Sequence, residues 1–386
     1  MTTLSISPEM LRWAASRLGT TVDGLALDMA SPKKLAQFKE GTLTSTQASA
    51  LAAKLRVPFG HLFLGTPPKD IRREIPDLRQ TPAPEPLSPA FFEALSDIER
   101  KVAWFSQHLK ENDINGPSFV GKFKGMKIPP SPKVVAKDIV ATLRLTPADR
   151  RESKTLDGFY NLLANRFEEL GILVFRSGVA RGNPHRPLPV SEFRGFAISN
   201  PLVPVVFTNG RDAPAAWIFT LIHEAAHIWL GVSGVSDVSA SSNGVTRGVE
   251  ALCNQVAAEV LTPEDEFRRF WRNDDQNQFS QLAKHFMVSK LVVARRALDF
   301  GLIDRATYQE VAAVSAIKKD SSGGNPYATI PIRSSRRFTE TLLNSAMVGE
   351  TMLREAGRLL NVRPSTVVEL HRRRGRINGL EVTDFV

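Results

Sequence analysis

The sequence contains very little cysteine: its 386 residues include 1 Cys. A single cysteine excludes an internal disulfide framework, which small secreted domains commonly need, and it fits a reducing compartment. No apolar run reaches the length of a membrane span, and the N-terminus lacks a basic segment followed by an apolar one. No internal repeat and no glycine-rich phosphate-binding motif is present. We therefore expect a globular cytoplasmic protein that does not associate with membranes.

The chain has instead a net positive charge, which lies mostly near its two ends. Its 50 Lys and Arg outnumber its 40 Asp and Glu, giving a net charge of +10. Residues 1–80 hold 11 basic and 7 acidic side chains, and residues 315–386 hold 12 and 7. This excess allows binding to nucleic acid or to an acidic partner, although a solvated basic surface is the commoner explanation. The length predicts two or three domains.

The segment 220–230 carries the clearest chemistry. On a helix, His223 and His227 lie one turn apart on the same face, where two imidazoles can bind a zinc ion. Glu224 then lies beside the metal, placed to act as general base on a zinc-bound water. The flanking residues are apolar or small, which predicts a buried helix. Ionisable side chains in such a helix are costly unless a metal compensates them, so a zinc site is favoured over two structural histidines.

A third protein ligand must come from another segment. Glu250 begins a second apolar helix, which Pro263 ends, and Cys253 follows on the same helix. Glu250 is favoured because two histidines and a carboxylate form an established zinc site, whereas Cys253, among apolar neighbours, is more typical of packing. Asn254, one turn after Glu250, lies on the same face and is suited to orienting a ligand.

Residues 219–227, 250–258 and 261–263, with 193–196 and 204–209 before them, resemble the ImmA/IrrE family of zinc-dependent metallopeptidases. The resemblance implies that Glu250 is the third ligand and that Asn254 belongs to the same motif. It also implies a short strand before the zinc helix, the usual place for an extended substrate to pair. Family members typically cut repressors or stress regulators, and some act as antitoxins beside toxins. Ala225 and Val256 depart from the family pattern without affecting the ligands.

The first 66 residues predict a bundle of short helices. Their order and short turns resemble an Xre-type helix-turn-helix domain, often fused ahead of such peptidases. Lys33 and Lys34 begin the second helix of the motif and suit phosphate contact, but that helix offers no arginine or asparagine for reading bases. Sequence-specific DNA binding and a structural or dimerising role both remain open. The predicted helices are 10–18, 21–29, 33–40, 45–55 and 59–63.

The rest of the chain predicts further helices and a small sheet. Residues 91–109, 134–143, 156–170 and 281–298 have helical periodicity, the last as two helices, and a lone His285 there is more typical of packing than of metal binding. Residues 231–248 lack periodicity and predict a flap beside the cleft. In the tail, 321–326 predicts a joint and 338–360 a helix with a break near Gly349. The predicted strands are 171–176, 193–199, 203–208 and 327–332.

Together these features predict an α+β protein with a small sheet packed on the zinc helix and a C-terminal region of helix and strand. The predicted function is that of an intracellular zinc metalloendopeptidase that cuts a regulatory protein or toxin partner. The alternative is a helix-turn-helix DNA-binding regulator or antitoxin whose peptidase-like fold binds without turnover. The sequence leaves the oligomeric state open and is compatible with a homodimer. The predicted domains are 1–66 (helix-turn-helix), 67–90 (linker), 91–312 (peptidase) and 313–386 (C-terminal region).

Overall fold

The computed structural model describes most of the chain, in two compact units, residues 1–74 and 75–386. Within the described residues, helices predominate and two small sheets are present, in agreement with the predicted α+β class. None of the described helices is long and apolar enough to cross a membrane. Most of the predicted linker, the centre of the predicted flap and nearly all of the predicted joint at 321–326 lie outside the described residues. The described residues are 3–18, 20–55, 57, 59–66, 87–126, 130–236, 245–272, 277–315 and 326–377.

The N-terminal unit is a helical bundle that also contains one pair of short strands, distant from each other in the sequence. The pairing is antiparallel, between two three-residue strands that the sequence did not predict. The predicted helix 33–40 is divided into a 3₁₀ turn and a five-residue helix, followed by Gly41 at φ +86, where a side chain would collide with the Ile6 carbonyl. In order, the elements are β1 (Thr3–Ser5), α1 (Pro8–Arg17), α2 (Val22–Met29), a 3₁₀ turn (Pro32–Lys34), α3 (Leu35–Lys39), β2 (Thr42–Thr44), α4 (Ser45–Leu55) and a second 3₁₀ turn (Phe59–Phe63).

The second unit contains the predicted zinc helix and the larger sheet. Several of its helices begin at a proline, which is suited to the first helical position because it needs no hydrogen-bonded N–H. Its elements are α5 (Pro89–Glu111), α6 (Pro132–Leu143), α7 (Pro147–Glu152), α8 (Leu156–Glu169), β3 (Leu173–Ser177), a 3₁₀ turn (Ala180–Gly182), β4 (Gly195–Ile198), β5 (Val205–Asn209), α9 (Pro214–Leu230), β6 (Gly234–Ser236), α10 (Val245–Leu261), α11 (Glu264–Phe270), α12 (Gln278–Phe286), α13 (Lys290–Asp299), α14 (Arg305–Ser315), α15 (Pro326–Arg333), α16 (Arg336–Met347), α17 (Leu353–Leu360) and α18 (Pro364–Ile377).

The four-stranded sheet has the order β3-β5-β4-β6. β3 pairs with β5 in parallel, and β4 pairs antiparallel with both β5 and β6. The three strands predicted in this region are present with ends shifted by a few residues. β6 was not predicted: it lies in the segment that was interpreted as a flap. Since α10 begins at Val245, that flap interpretation is wrong at both ends of the segment.

The sheet separates two apolar cores because alternate side chains point to opposite faces. Val174, Ala197 and Val206 face the core that contains α8, α9 and α10. On the other face, Phe196 and Phe207 stack with centroids 4.9 Å apart in a core shared with α5 and the C-terminal helices. The helix α9 is therefore held by the sheet on one side and by helices on the other.

The C-terminal helices complete the second core. The strand predicted at 327–332 is wrong, because these residues lie in α15, which packs against β3. Its β-branched residues favoured a strand, but Ile330 is buried in the second core from a helix. The predicted break in helix 338–360 is present: α16 ends at Met347, and Gly349 follows at φ +86. In the described part of the tail the region is helical rather than mixed.

Glu168, on α8, connects this C-terminal region to the sheet. Its buried carboxylate accepts hydrogen bonds from Ser335 Oγ at 2.6 Å and from the backbone N–H of Arg336 at 2.9 Å. Burial raises the pKa of the Glu168 carboxyl from its ordinary value of 4.5 to about 7, because the hydrogen bonds compensate only part of the lost hydration.

This raised pKa makes the stability of the fold depend on pH. The stabilisation from protonated Glu168 is complete below about pH 4.5 and is lost as the pH rises through about 7. Glu168→Gln accepts the same hydrogen bonds and does not titrate. Between pH 4.5 and 8, we expect the free energy of unfolding of the variant to gain roughly 1–3 kcal/mol relative to wild type. Urea denaturation at both pH values measures it. The exposed neighbour Glu169→Gln is the control, and an equal pH response in both variants would contradict the prediction.

Candidate metal centre

The helix α9 fixes the position of three ionisable side chains. It begins with Pro214 at its first position and ends at Gly231, whose φ of +71 allows the left-handed conformation of the last turn. From Thr220 to Leu230 all residues are buried. Near the end, Trp229 stacks on Phe119 with centroids 4.1 Å apart and donates from Nε1 to a carboxylate oxygen of Asp138 at 2.8 Å. The helix is therefore anchored directly beside its two histidines.

The two histidines and Glu250 converge in a fully buried cluster. The Nε2 atoms of His223 and His227 are 3.2 Å apart. Glu250, on α10, places Oε2 3.1 Å from His223 Nε2 and Oε1 3.0 Å from His227 Nε2. All three side chains have no exposed surface. Three possible ligand atoms from two packed helices thus meet at one point.

This cluster fits a divalent metal ion. Tetrahedral nitrogen and oxygen ligands about 2.0–2.1 Å from a metal such as zinc are about 3.3 Å from one another, close to the observed separations. Burial lowers the pKa of His227, so its imidazole is a neutral donor. Burial alone would raise the pKa of Glu250, but hydrogen bonds with both imidazoles outweigh this and lower it to about 2. Two imidazole nitrogens beside a buried carboxylate form a donor set that a cation stabilises.

Glu224 lies on the same helix, outside the three-residue cluster. It is fully buried, on the side of α9 that faces β4. A Cβ atom built on Gly195, the first residue of β4, would lie 2.8 Å from Glu224 Oε1 and 2.5 Å from Thr220 Cγ2. The absence of a side chain at Gly195 therefore lets the strand approach the helix directly at the Glu224 carboxylate. Nothing in the local sequence pattern signals this role of Gly195.

Gly195→Ala is expected to displace Glu224. The added methyl group would also lie 2.8 Å from the Phe207 carbonyl oxygen, so neither side can make room without a backbone shift. We expect a loss of about 1–3 kcal/mol in the free energy of unfolding. Metal content should be retained, because the added atom contacts no residue of the cluster. Calorimetry and metal analysis measure the two effects.

Gly248→Ala, on α10, is the matched control. An added Cβ there meets nothing within 4 Å, and alanine favours a helix by about 1 kcal/mol over glycine. The control should therefore be neutral or stabilising. Equal stability of the Gly195 and Gly248 variants would show that the close approach of β4 to α9 is not required.

The remaining candidates occupy different positions. Cys253 is fully buried and outside the cluster, and burial together with the nearby Glu250 and Glu224 carboxylates raises the pKa of its thiol. His285 Nε2 lies within hydrogen-bond distance of Glu266 Oε1, at 2.9 Å, and its ring packs against Phe270. Asn254 is one turn from Glu250, and its Oδ1 has no hydrogen-bond partner among the described residues. The helix that carries Glu250 begins five residues before the predicted start.

The expected pairing strand is covered in this structure. The resemblance implied that a strand before the zinc helix pairs with an extended substrate. The two strands that directly precede α9, β4 and β5, have neighbours on each side, since β5 lies between β3 and β4, and β4 lies between β5 and β6. Gly195 pairs with Ser236 of β6. Among the described residues, the outermost strand on this side of the sheet is therefore β6, the strand that the sequence did not predict.

The sequence of the region that contains this candidate metal site matches a known family of peptidases. Residues 334–373 match a family described only as a domain of unknown function. No curated protein matches the chain. Residues 167–298 match a peptidase family model described as the IrrE N-terminal-like domain. This match extends from the end of α8 through α13, includes both ligand-bearing helices, and supports a relationship of this part of the chain to the ImmA/IrrE peptidases.

Proposed function

We propose that the protein is a zinc-dependent metallopeptidase. The observation that carries this proposal is the convergence of His223, His227 and Glu250 in a fully buried cluster, with Glu224 beside it on the same helix. Nitrogen ligands with one carboxylate are typical of catalytic zinc, which keeps a further position open for water or substrate. The match of residues 167–298 to a peptidase family supports the same assignment.

In this proposal, three residues hold the metal, one acts as the base, and one permits the close contact around the base. His223, His227 and Glu250 hold the zinc ion, which when bound lowers the pKa of water and polarises the scissile carbonyl. Glu224 takes a proton from the attacking water and delivers it to the leaving nitrogen. Gly195 permits the close contact that keeps the Glu224 carboxylate in place. The Glu250 carboxylate remains unprotonated throughout, which its low pKa favours.

The proposed substrate is a regulatory protein, such as a repressor, a stress regulator or a toxin partner. Support for this class comes from the resemblance to ImmA/IrrE peptidases and from the family match. The experiment compares newly formed protein N-termini, by mass spectrometry, in cells that produce wild type or Glu224→Gln. We expect a small set of termini that depends on Glu224. If no terminus depends on Glu224, the peptidase proposal is overturned.

A second candidate function is DNA binding by the N-terminal unit. It is favoured by α3 and the turn before it, where Lys33 and Gln37 are exposed while Phe38 is buried. This arrangement presents polar side chains on one face of a short helix that follows α2. Since Lys39 is paired with Asp23, the candidates for phosphate contact are Lys33 and Lys34, at the start of the second helix of the motif.

If this candidate is right, binding should depend on salt and on Lys33 and Lys34. We expect the double variant Lys33→Gln/Lys34→Gln to weaken binding to the upstream region of its own gene and to reduce the salt slope by about 2. Gel shifts across a salt series measure both. Lys54→Gln, which removes a lysine paired with Asp28 on another helix, is the control. If folded wild type gives no shift at low salt, the unit does not bind this DNA.

A further inference from the structure

A second candidate site lies in the unit 75–386, which also contains the cluster of His223, His227 and Glu250. The residues that line this second site do not belong to that cluster. It is an open cleft of about 670 Å³, formed by α5, the 3₁₀ turn after β3 with the residues that follow it, α17, and the turn that joins α17 to α18. Among the described residues, five arginines line it, whereas Glu93 is the one acidic lining residue and is already bonded to Arg186. The arginines are Arg181, Arg186, Arg354, Arg358 and Arg363.

The fold holds the two walls of this cleft together through buried Asp97. This residue, on α5, accepts hydrogen bonds from Asn361 Nδ2 at 2.9 and 3.0 Å and is paired with buried Lys101 at 2.5 Å. Asn361 in turn accepts a hydrogen bond from Arg181 Nε at 3.0 Å. Asn361 and Arg181 both have positive backbone φ angles, +55 and +50, and residues other than glycine rarely adopt this conformation. The cleft is therefore built by specific contacts rather than left between loose segments.

Three of the arginines have no ion pair with another described residue. Arg354 and Arg358 lie one turn apart on α17, and Arg363 directly precedes α18. All three are exposed. Guanidinium groups collected in a concave site repel one another, and their planar donors match the oxygens of phosphate. The fourteen-residue α18 also begins at the cleft, at Pro364, and a helix N-terminus favours an anion.

The shape and lining select the ligand. The volume lies within the range of about 300–1,000 Å³ that is typical of small-molecule sites. A DNA duplex is read mainly by elements that protrude into its grooves, which a concave cleft does not provide. None of the lining residues is aromatic, so affinity must come from charge rather than from stacking on a base. We propose that this cleft binds a small anion with two or more linked phosphate groups, such as a nucleoside triphosphate or inorganic polyphosphate.

The test titrates the full-length protein with tripolyphosphate and with ATP by calorimetry. The variant Arg354→Gln/Arg358→Gln removes two exposed cleft cations without touching the metal centre. Because hydrogen bonds between charged partners are the strong ones, we expect Kd to rise about tenfold for each arginine replaced. Arg151→Gln is the matched control, since Arg151 is exposed on α7 and does not line the cleft. It should bind both probes as wild type does.

The outcomes separate the sources of the phosphate. Tighter binding of ATP than of tripolyphosphate, with the arginine dependence, supports a nucleotide. Equal binding, with the same dependence, supports a polyphosphate. The proposal is overturned if wild type binds neither probe, or if the double variant binds both as wild type does. Displacement of the probes by a short DNA duplex at lower concentration than by tripolyphosphate would replace the small anion with nucleic acid.

Discussion

His227→Ala is expected to remove the bound metal from the purified protein. The cluster offers three possible ligand atoms, and His227 Nε2 lies 3.0 Å from one Glu250 oxygen and 3.2 Å from His223 Nε2. A metal held by the remaining two side chains loses most of its affinity, because catalytic zinc normally needs three. We expect about one zinc per chain in wild type and almost none in the variant. Metal analysis after gel filtration gives the ratio.

The control for this experiment is another histidine of the same unit. His285 pairs with Glu266 and contributes to packing, so His285→Ala should retain zinc at the wild-type level. His223→Ala should behave like His227→Ala, and Glu250→Ala should weaken zinc binding severely. Full zinc occupancy in His227→Ala would place the metal elsewhere and remove the basis of the peptidase proposal.

The parts of the site that the sequence predicted are those in which local pattern and chemistry agree. In the segment 220–230, apolar neighbours predict burial, and the spacing of His223 and His227 gives them a common face. The structure places both histidines in one buried cluster with Glu250, which comes from another helix. Bringing that second helix to the first is a tertiary event, and spacing alone did not choose between Glu250 and Cys253. The chemistry of zinc sites with two histidines and a carboxylate favoured Glu250, and the resemblance to a known family implied the same residue.

The parts that were not predicted depend on contacts between distant segments. Strands of three residues, such as β1 and β6, are too short to produce a periodic signal, and their partners determine that they form. Gly195 is a single glycine whose role is visible only when β4 lies against α9. The short apolar run in α15 is ambiguous between helix and strand until its packing against β3 is known.

The basic residues illustrate the same limit. The most prominent basic run in the sequence begins at Arg372, yet Arg372 and Arg373 are exposed and both pair with Glu369 on their own helix. These two arginines therefore lie on a solvated face of α18 and are paired locally. The arginine cleft instead collects residues from segments about 170 positions apart, such as Arg186 and Arg358, none of which forms a run. Charge patterning along a sequence reports local clusters, and only the fold assembles distant ones.

Glu224→Gln is expected to abolish most of the peptidase activity while leaving the metal in place. Glu224 is fully buried next to Gly195, and the three clustered ligand atoms belong to other side chains. Glutamine has nearly the same shape but cannot take a proton from the attacking water. General acid–base catalysis typically contributes 10²–10⁴-fold, so we expect kcat on a substrate identified in cells to fall by about that factor. KM should change little, since the side chain acts on the reacting atoms.

Three measurements separate this loss of the base from damage to the site. Zinc content and thermal stability should equal those of wild type, because no ligand is altered and the packing volume is kept. The fall of activity at low pH, which reports protonation of the base, should disappear from the residual activity of the variant. Gly195→Ala offers the comparison, since it leaves the carboxylate present but displaced, and should retain that limb of the pH profile.

If Glu224→Gln cleaves the substrate at the wild-type rate with zinc bound, Glu224 is not the base. If the cellular effects of the protein persist in Glu224→Gln and vanish in variants of the N-terminal unit, the protein acts as a regulator. Binding through the N-terminal unit would then suffice, without proton transfer at the zinc centre.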